Sequence, residues 1–164
     1  MNAKAIVYTS NTGYTARYAA LLSEKLGVPA HTLSEAQKTL AAGTPIIYMG
    51  WLMAGSVKDC KKAAKRFGIQ AVIGVGLGDT GAQDETARKA CALPADVPVF
   101  TVQGGMDINK LRGPYKLVIR MLTKAMSARK DATPGEARMA ELLQSGGDFV
   151  SEKELAAVLA WAAE

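Results

Sequence analysis

One segment near the amino end combines hydroxyl and amide side chains around a single glycine. Its residues are Thr9, Ser10, Asn11, Thr12, Gly13, Tyr14 and Thr15. It lies between an apolar, β-branched run and a stretch with helical periodicity, so the free N–H groups of a helix start are available to an anion there. Ser10, Thr12 and Thr15 add hydroxyl donors, and the segment has no lysine or arginine. It predicts a site that holds a phosphate monoester by hydrogen bonds; the alternative is that Ser10 or Thr12 only caps the helix.

Two later segments, each rich in glycine, follow the third and fourth predicted strands. The first contains Gly50, Trp51, Leu52, Met53, Ala54 and Gly55, and the second contains Gly76, Leu77, Gly78 and Asp79. Trp51 can stack on a planar ligand whose edge meets the glycine backbone; alternatively, Trp51 fills the core or a subunit contact. The second segment also matches G-x-G-x-x-G as far as Gly81. Because it follows the fourth strand instead of opening a βαβ unit, it does not indicate a dinucleotide site.

The strands and helices that position these segments alternate along the chain. Runs rich in β-branched residues predict strands over 5–9, 29–33, 45–49, 71–75 and 97–102. Helical periodicity predicts helices over 14–26, 35–41, 56–67, 83–91 and 152–163, with two further helices over 114–129 and 135–144. Ser56 with Asp59, and Ser151 with Glu154, have the spacing of capping pairs for the third and the last of the main helices.

The expected architecture follows from the character of the strands. Strands that are apolar on both faces and joined by helices indicate a parallel sheet covered on both sides. Five such strands commonly take the order 2-1-3-4-5. The sequence therefore predicts one α/β domain over 1–164, a three-layer sandwich with extra helices near the carboxyl end. A phosphoacceptor receiver domain shares this topology but needs carboxylates where this chain has Thr9 and Gly50.

Composition excludes several classes of site. With 49% apolar and 21% charged residues, the chain is typical of globular proteins and not of disordered ones. One histidine and two cysteines exclude a disulfide scaffold and a His-rich metal site, and no catalytic or metal-binding constellation is evident. The uncharged stretch 39–57 contains Gly43 and Pro45, so it does not predict a membrane span. Residues 1–4 lead directly into the first strand without a signal-peptide pattern, which predicts a cytoplasmic protein.

A basic amphipathic helix is expected within 110–130. This segment has no acidic residue and seven basic ones, which are Lys110, Arg112, Lys116, Arg120, Lys124, Arg129 and Lys130. The net charge of the whole chain is +5, so the segment carries all of the excess. Such a helix suits an anionic membrane surface or an acidic partner. The alternative is that its apolar face only packs on the sheet. A nucleic-acid partner is not favoured, because aromatic residues are few and the segment has no known nucleic-acid-binding motif.

The residues from Ser10 to Thr15 match the phosphate pattern (S/T)-x-T-G-x-T, placed after the first strand as in flavodoxins. The chain therefore resembles the flavodoxin-like family, which implies a flavodoxin-like three-layer sandwich that binds flavin mononucleotide (FMN). The resemblance implies that the phosphate lies on Ser10, Asn11, Thr12, Gly13, Tyr14 and Thr15. It also implies that the isoalloxazine ring lies between the two glycine-rich segments.

A second resemblance covers the carboxyl-terminal part of the chain. The segment 103–111, with the sequence QGGMDINKL, precedes the basic helix, and Asp148 precedes the last helix. This arrangement is similar to the flavodoxin-domain branch that includes menaquinone-dependent protoporphyrinogen dehydrogenase. The chain departs from that enzyme after the fourth strand, where a short segment with Asp79, Asp84 and Glu85 stands in place of a longer basic insertion.

These resemblances imply a flavin protein whose electrons pass to a redox partner protein or to a quinone. One class is an electron carrier. The other, which we favour, is an FMN-dependent oxidoreductase, with a menaquinone-dependent protoporphyrinogen dehydrogenase-like enzyme at the inner face of the membrane as an alternative. A third class is a protein of this fold that has lost the flavin.

Overall fold

The structure is a computed structural model that describes residues 2–111, 113–128, 131 and 133–164. The strands are β1 Ala5–Thr9, β2 Ala30–Thr32, β3 Pro45–Met53, β4 Ser56–Val57, β5 Gly68–Gly76, β6 Val99–Gln103, β7 Gly105–Met106 and β8 Gly147–Asp148. The helices are α1 Tyr14–Leu26, α2 Leu33–Thr39, α3 Cys60–Ala64, α4 Asp84–Cys91, α5 Tyr115–Ser127, α6 Pro134–Ser145 and α7 Ala156–Ala163. A 3-10 turn, Glu152–Leu155, precedes α7.

The main sheet is parallel and has the strand order β2-β1-β3-β5-β6. This confirms the predicted order, because β4 is only an antiparallel hairpin partner of β3. Successive residues of β1 point to opposite faces, as in any strand. Ile6 packs in a core with residues of α1 and α7, and Val7 packs in a second core with residues of α2, α3 and α4. The molecule is therefore a flavodoxin-like three-layer sandwich, as predicted.

The region 56–67 differs from its prediction. Ser56 does not cap a helix, because it pairs with Met53 while Val57 pairs with Leu52. The strand before it continues past residue 49 to Met53, and Ala54 and Gly55, with φ of 49° and 75°, turn the chain into β4. Backbone groups that the capping prediction assigned to a helix start are thus used in a hairpin. The helix begins only at Cys60, and it has no side-chain cap.

The starts of α2 and α7 also differ from the predicted helix starts. The helix α2 starts two residues earlier than predicted, because Thr32 and Glu35 form a capping box in which the Glu35 N–H donates to the Thr32 hydroxyl at 3.2 Å. At the last helix, Ser151 makes no capping hydrogen bond, and the Glu154 carboxylate instead accepts a hydrogen bond from the Thr80 hydroxyl. The first helical turn there is therefore a 3-10 turn.

The extra helices form an insertion between two short strands. After α6, Gly147 and Asp148 pair antiparallel with Met106 and Gly105. This pairing closes the base of a segment that carries α5 and α6. The helices confirm the two that were predicted near the carboxyl end, although Arg112, Arg129 and Lys130 lie outside the described residues.

Candidate functional site

The loop after β1 lies at the carboxyl end of its strand, where α1 begins. Gly13 has a φ of 98°, a left-handed conformation that favours glycine. The Ser10 hydroxyl accepts hydrogen bonds from the backbone N–H of Gly13 at 3.2 Å and of Ala16 at 3.4 Å. Ser10 therefore satisfies one N–H group of the first turn of α1, although the N-cap residue of this helix is Gly13, which has no side chain. Asn11 and Thr12 lie on the walls of two neighbouring cavities.

The first of these, the polar cavity, has a volume of about 810 Å³. Its walls come from the loop after β1, the start of α2, the start of α3 and the segment that leads to α5. They are formed by Tyr8, Thr9, Ser10, Asn11, Thr12, Gly13, Ala16, Thr32, Leu33, Ser34, Gln37, Asp59, Lys62, Asn109, Lys110 and Leu111. Two lysines thus stand beside a loop that itself has none, so an anion in this cavity would meet positive charge as well as hydrogen-bond donors.

The charges in the polar cavity are partly compensated. The Thr9 hydroxyl donates a hydrogen bond to the Asp59 carboxylate at 3.3 Å, and the Lys58 ammonium lies 3.8 Å from the same group. The Lys110 ammonium lies 3.4 Å from the Asp107 carboxylate. The backbone N–H of Asn109 donates to that carboxylate and, together with Lys110, lowers the pKa of Asp107. Asp107 stays ionised and holds the segment that carries Lys110 in place.

A buried tyrosine supports the floor of the site. The Tyr48 side chain is fully buried, and its hydroxyl donates to the Lys58 carbonyl at 2.7 Å and lies 2.9 Å from the Thr9 hydroxyl. Burial raises the pKa of Tyr48 well above its ordinary range. The phenol is therefore neutral, and it links the end of β1 to the chain between β4 and α3.

The second cavity, the apolar cavity, has a volume of about 280 Å³. It lies between the β3–β4 hairpin, the end of β5 and the inserted helices α5 and α6. The Trp51 ring meets the Tyr115 ring edge to face, with 4.9 Å between centroids and 84° between planes. The Lys58 ammonium lies 5.9 Å from the centroid of the Tyr115 ring, which gives α5 a second contact with the chain after β4. Trp51 thus lies on the cavity wall and packs on α5.

The structure brings most of the predicted binding residues to these two cavities. The ones on a wall are Ser10, Asn11, Thr12, Gly13, Trp51, Leu52, Met53, Ala54, Gly55, Gly76 and Leu77. Five others lie on neither wall: Tyr14, Thr15, Gly50, Gly78 and Asp79.

These five have other surroundings. Tyr14 and Thr15 are 9% and 2% exposed and turn into the protein at the start of α1. A Cβ on Gly50 would lie 2.6 Å from the Lys58 carbonyl oxygen, so this glycine is packed beneath the hairpin. The Asp79 carboxylate lies 3.7 Å from the Arg138 guanidinium of α6. The expected contacts of these residues with a ligand remain predictions.

Some residues that line the two cavities come from distant segments and were not among the predicted binding residues. In the polar cavity these include Gln37, Asp59, Lys62 and Lys110. In the apolar cavity the helix α5 contributes Tyr115, Val118, Ile119 and Leu122. A signal for the second group was present, because these residues belong to the apolar stripe with helical spacing. In the structure this stripe lines a cavity at the end of the sheet, and α5 packs on α6.

Comparison with protein-family models, with curated proteins and with solved structures found no match to this chain. The class of protein is therefore defined by fold and geometry: a flavodoxin-like sandwich with a polar and an apolar cavity on either side of the loop after β1. In open α/β sheets, ligands bind at the carboxyl ends of the strands where the strand order reverses. In this sheet β1 is that point, with β2 on one side and β3 on the other.

Proposed function

We propose that the protein is an FMN-binding redox protein of the flavodoxin type. The observation that carries the proposal is that Asn11 and Thr12 line both cavities. A ligand with a phosphate at one end and a planar ring at the other would therefore place its phosphate in the polar cavity and its ring in the apolar cavity. FMN has this form, and the match of the loop to the flavodoxin phosphate pattern supports the same assignment.

The residues of the chain have distinct tasks in this proposal. Asn11, Thr12 and the Gly13 backbone donate hydrogen bonds to the phosphate, and the Lys110 ammonium adds charge. Trp51 and the hairpin contact the ring, while α5 excludes water from the apolar cavity. The flavin supplies the electron-transfer chemistry when it is bound, and the protein supplies binding, orientation and electrostatics.

Of the two redox classes, we favour an FMN-dependent oxidoreductase over a carrier. The helix α5 covers the ring cavity with Tyr115, Val118, Ile119 and Leu122, so a small apolar substrate such as a quinone suits the space better than a protein surface. Steady-state turnover of quinones by the reconstituted protein is the expected outcome. Flavin reduction that occurs only through a separate reductase would instead assign the protein to the carriers.

A second candidate is a menaquinone-dependent protoporphyrinogen dehydrogenase-like enzyme at the membrane surface. The observation that favours it is the outer face of α5, where Leu117 and Met121 are 64% and 65% exposed. This helix carries Lys116, Arg120 and Lys124 and has no acidic residue. Apolar and basic side chains on one helix suit an anionic lipid surface. Among the described helices, none is long and apolar enough to span a bilayer. We propose a cytoplasmic protein that binds peripherally, through this face of α5, to the inner face of the membrane.

The experiment that tests the proposed function is flavin binding itself. The purified protein is expected to show the absorption of a bound flavin, or to gain it on addition of FMN, and the released cofactor is identified by chromatography. Riboflavin is the matched ligand control, because it has the ring but no phosphate. A protein that binds neither flavin at millimolar concentration would overturn the proposal.

A further inference from the structure

The polar cavity is larger than a phosphate site requires. Its volume of about 810 Å³ lies in the range of pockets that enclose whole small-molecule ligands. The proposed function places only the terminal phosphate of FMN there, because the ring belongs to the apolar cavity. The walls that FMN would leave unused come from β2, α2 and α3, and they include Thr32, Ser34, Gln37 and Lys62.

The sheet order places this unused part on the far side of the phosphate loop. The strand β2 pairs with β1 on one side, whereas β3, which leads into the hairpin of the apolar cavity, pairs with it on the other. The order along the edge of the sheet is therefore apolar cavity, loop, and the space at the end of β2. A second group bound in that space would lie beyond the FMN phosphate, on the side away from the flavin ring.

The side chains around this space suit a nucleoside phosphate. The exposed Lys62 supplies a cation, and in the described part of the chain it forms no ion pair. Gln37 carries an amide donor and acceptor that match the edge of a base. Asp59 would oppose a phosphate placed against it, but its carboxylate can accept a ribose hydroxyl, as acidic residues do in nucleotide sites.

We infer that this part of the polar cavity binds a nucleoside 5′-phosphate next to the flavin phosphate. The inference rests on the proposed function, because it assumes that the flavin phosphate occupies the loop after β1. Two sources share this chemistry. The nucleotide is either the adenylate half of flavin adenine dinucleotide (FAD) or a separate molecule that binds beside FMN.

Titration of the apoprotein with FMN and with FAD, and of the FMN-loaded protein with 5′-AMP, distinguishes the two sources. An attached nucleotide makes FAD bind about tenfold more tightly than FMN, which corresponds to one additional charge-assisted contact. A separate nucleotide leaves FAD and FMN alike, while 5′-AMP binds saturably to the FMN-loaded protein. In either case, Lys62→Ala weakens the nucleotide-dependent binding by about tenfold, and Gln37→Ala weakens it to a smaller extent.

The matched control is Lys61→Ala, which removes the same charge from the same helix at an exposed residue outside the cavity wall. It is expected to change each affinity by less than about twofold. Tight FMN binding with no preference for FAD and no binding of 5′-AMP would overturn the inference and leave the proposed function in place. Equal effects of Lys62→Ala and Lys61→Ala would also overturn it. Binding of neither flavin would overturn both.

Discussion

The three hydroxyl residues of the phosphate pattern have different positions, and this separates their roles. The Ser10 hydroxyl already accepts two backbone hydrogen bonds at the start of α1, so it shapes the loop. Thr12 lies on the walls of both cavities, so a ligand that occupied both would pass it. Thr15, which the same pattern includes, is buried behind the loop. Of the three, Thr12 is therefore the residue whose hydroxyl should matter most for a bound phosphate.

The substitution Thr12→Val tests this at the level of one atom. It keeps the shape and removes a donor to a charged phosphate, so we expect FMN to bind at least about tenfold more weakly. Riboflavin affinity should change little, because riboflavin has no phosphate. Fluorescence titration measures both, and Thr39→Val, at an exposed position of α2 outside both cavity walls, is the control. An unchanged ratio of FMN to riboflavin affinity would show that the Thr12 hydroxyl does not contact phosphate.

A second residue-scale prediction concerns alkaline pH. Burial raises the pKa of Tyr18 to about 12, and its hydroxyl donates to the Gln103 carbonyl. The folded protein therefore keeps the proton at a pH where the unfolded chain loses it. This contribution to stability is complete below pH ~10, the ordinary pKa of tyrosine, and it is lost between there and the raised pKa, at up to about 1.4 kcal/mol per pH unit.

Denaturant unfolding of the wild type and of Tyr18→Phe across this pH range measures that loss. The variant lacks the titrating group, so the difference in unfolding free energy between the two proteins should shrink as the pH rises above ~10. A difference that stays constant with pH would mean that Tyr18 ionises in the folded protein as it does in the unfolded one.

At the scale of elements, the β3–β4 hairpin depends on close packing at a glycine. A Cβ on Gly50 would lie 2.6 Å from the Lys58 carbonyl oxygen and 2.7 Å from a methyl carbon of Val57. Both atoms belong to the returning chain of the hairpin, so neither can move without displacing that chain. The hairpin forms a wall of the apolar cavity, and its position is therefore set by the absence of a side chain at residue 50.

We expect Gly50→Ala to lower the free energy of unfolding by about 1–3 kcal/mol through overpacking. The matched control is Gly135→Ala in the first turn of α6, where a new Cβ meets nothing within 4 Å. That substitution should raise stability by up to about 1 kcal/mol, since alanine favours a helix. Chemical denaturation measures both. Equal stability of Gly50→Ala and the wild type would contradict the packing described here.

The same elements show which parts of the fold and of the candidate site could be predicted from the sequence. The strands β1, β3, β5 and β6 were predictable because each contains an apolar, β-branched run, whereas β2 has only the short sequence AHT. The order of the strands follows from the βαβ pattern. The two-residue strands β4, β7 and β8 carry no periodicity, and their pairing depends on partners elsewhere in the fold. The loop from Ser10 to Gly13 was predictable because its chemistry is local. Lys62 and Lys110 were not, because only the folded chain brings them to the same cavity.

At the scale of the whole molecule, the insertion with α5 and α6 determines what can reach the apolar cavity. It is attached through the β7–β8 pairing, the Trp51–Tyr115 contact and the exposed ion pair between Arg138 and Asp79. Exposed ion pairs contribute little, so the hydrophobic contacts carry most of the attachment. The outer face of α5 remains apolar, with Leu117 and Met121 more than half exposed. An apolar face beside the apolar cavity would suit a substrate dissolved in lipid.

Vesicle binding tests whether this face meets a membrane. The protein is expected to sediment with phosphatidylcholine vesicles that contain phosphatidylglycerol, and to be released by salt, because the basic side chains contribute about 1 kcal/mol each near an anionic surface. Replacing Lys116, Arg120 and Lys124 with glutamine should therefore weaken binding on the order of 100-fold. The pair Leu117→Ser and Met121→Ser should weaken it even at low salt, because the loss is apolar.

A control must remove charge elsewhere, since the whole chain is basic. Lys61→Ser with Lys65→Ser removes two exposed charges from the α3 region and should leave vesicle binding nearly unchanged if α5 is the contact. Binding that falls equally with either set of charges would indicate nonspecific attraction by net charge. Binding that depends on the α5 charges but not on Leu117 and Met121 would show that the helix lies on the charged lipid surface without inserting its apolar side chains.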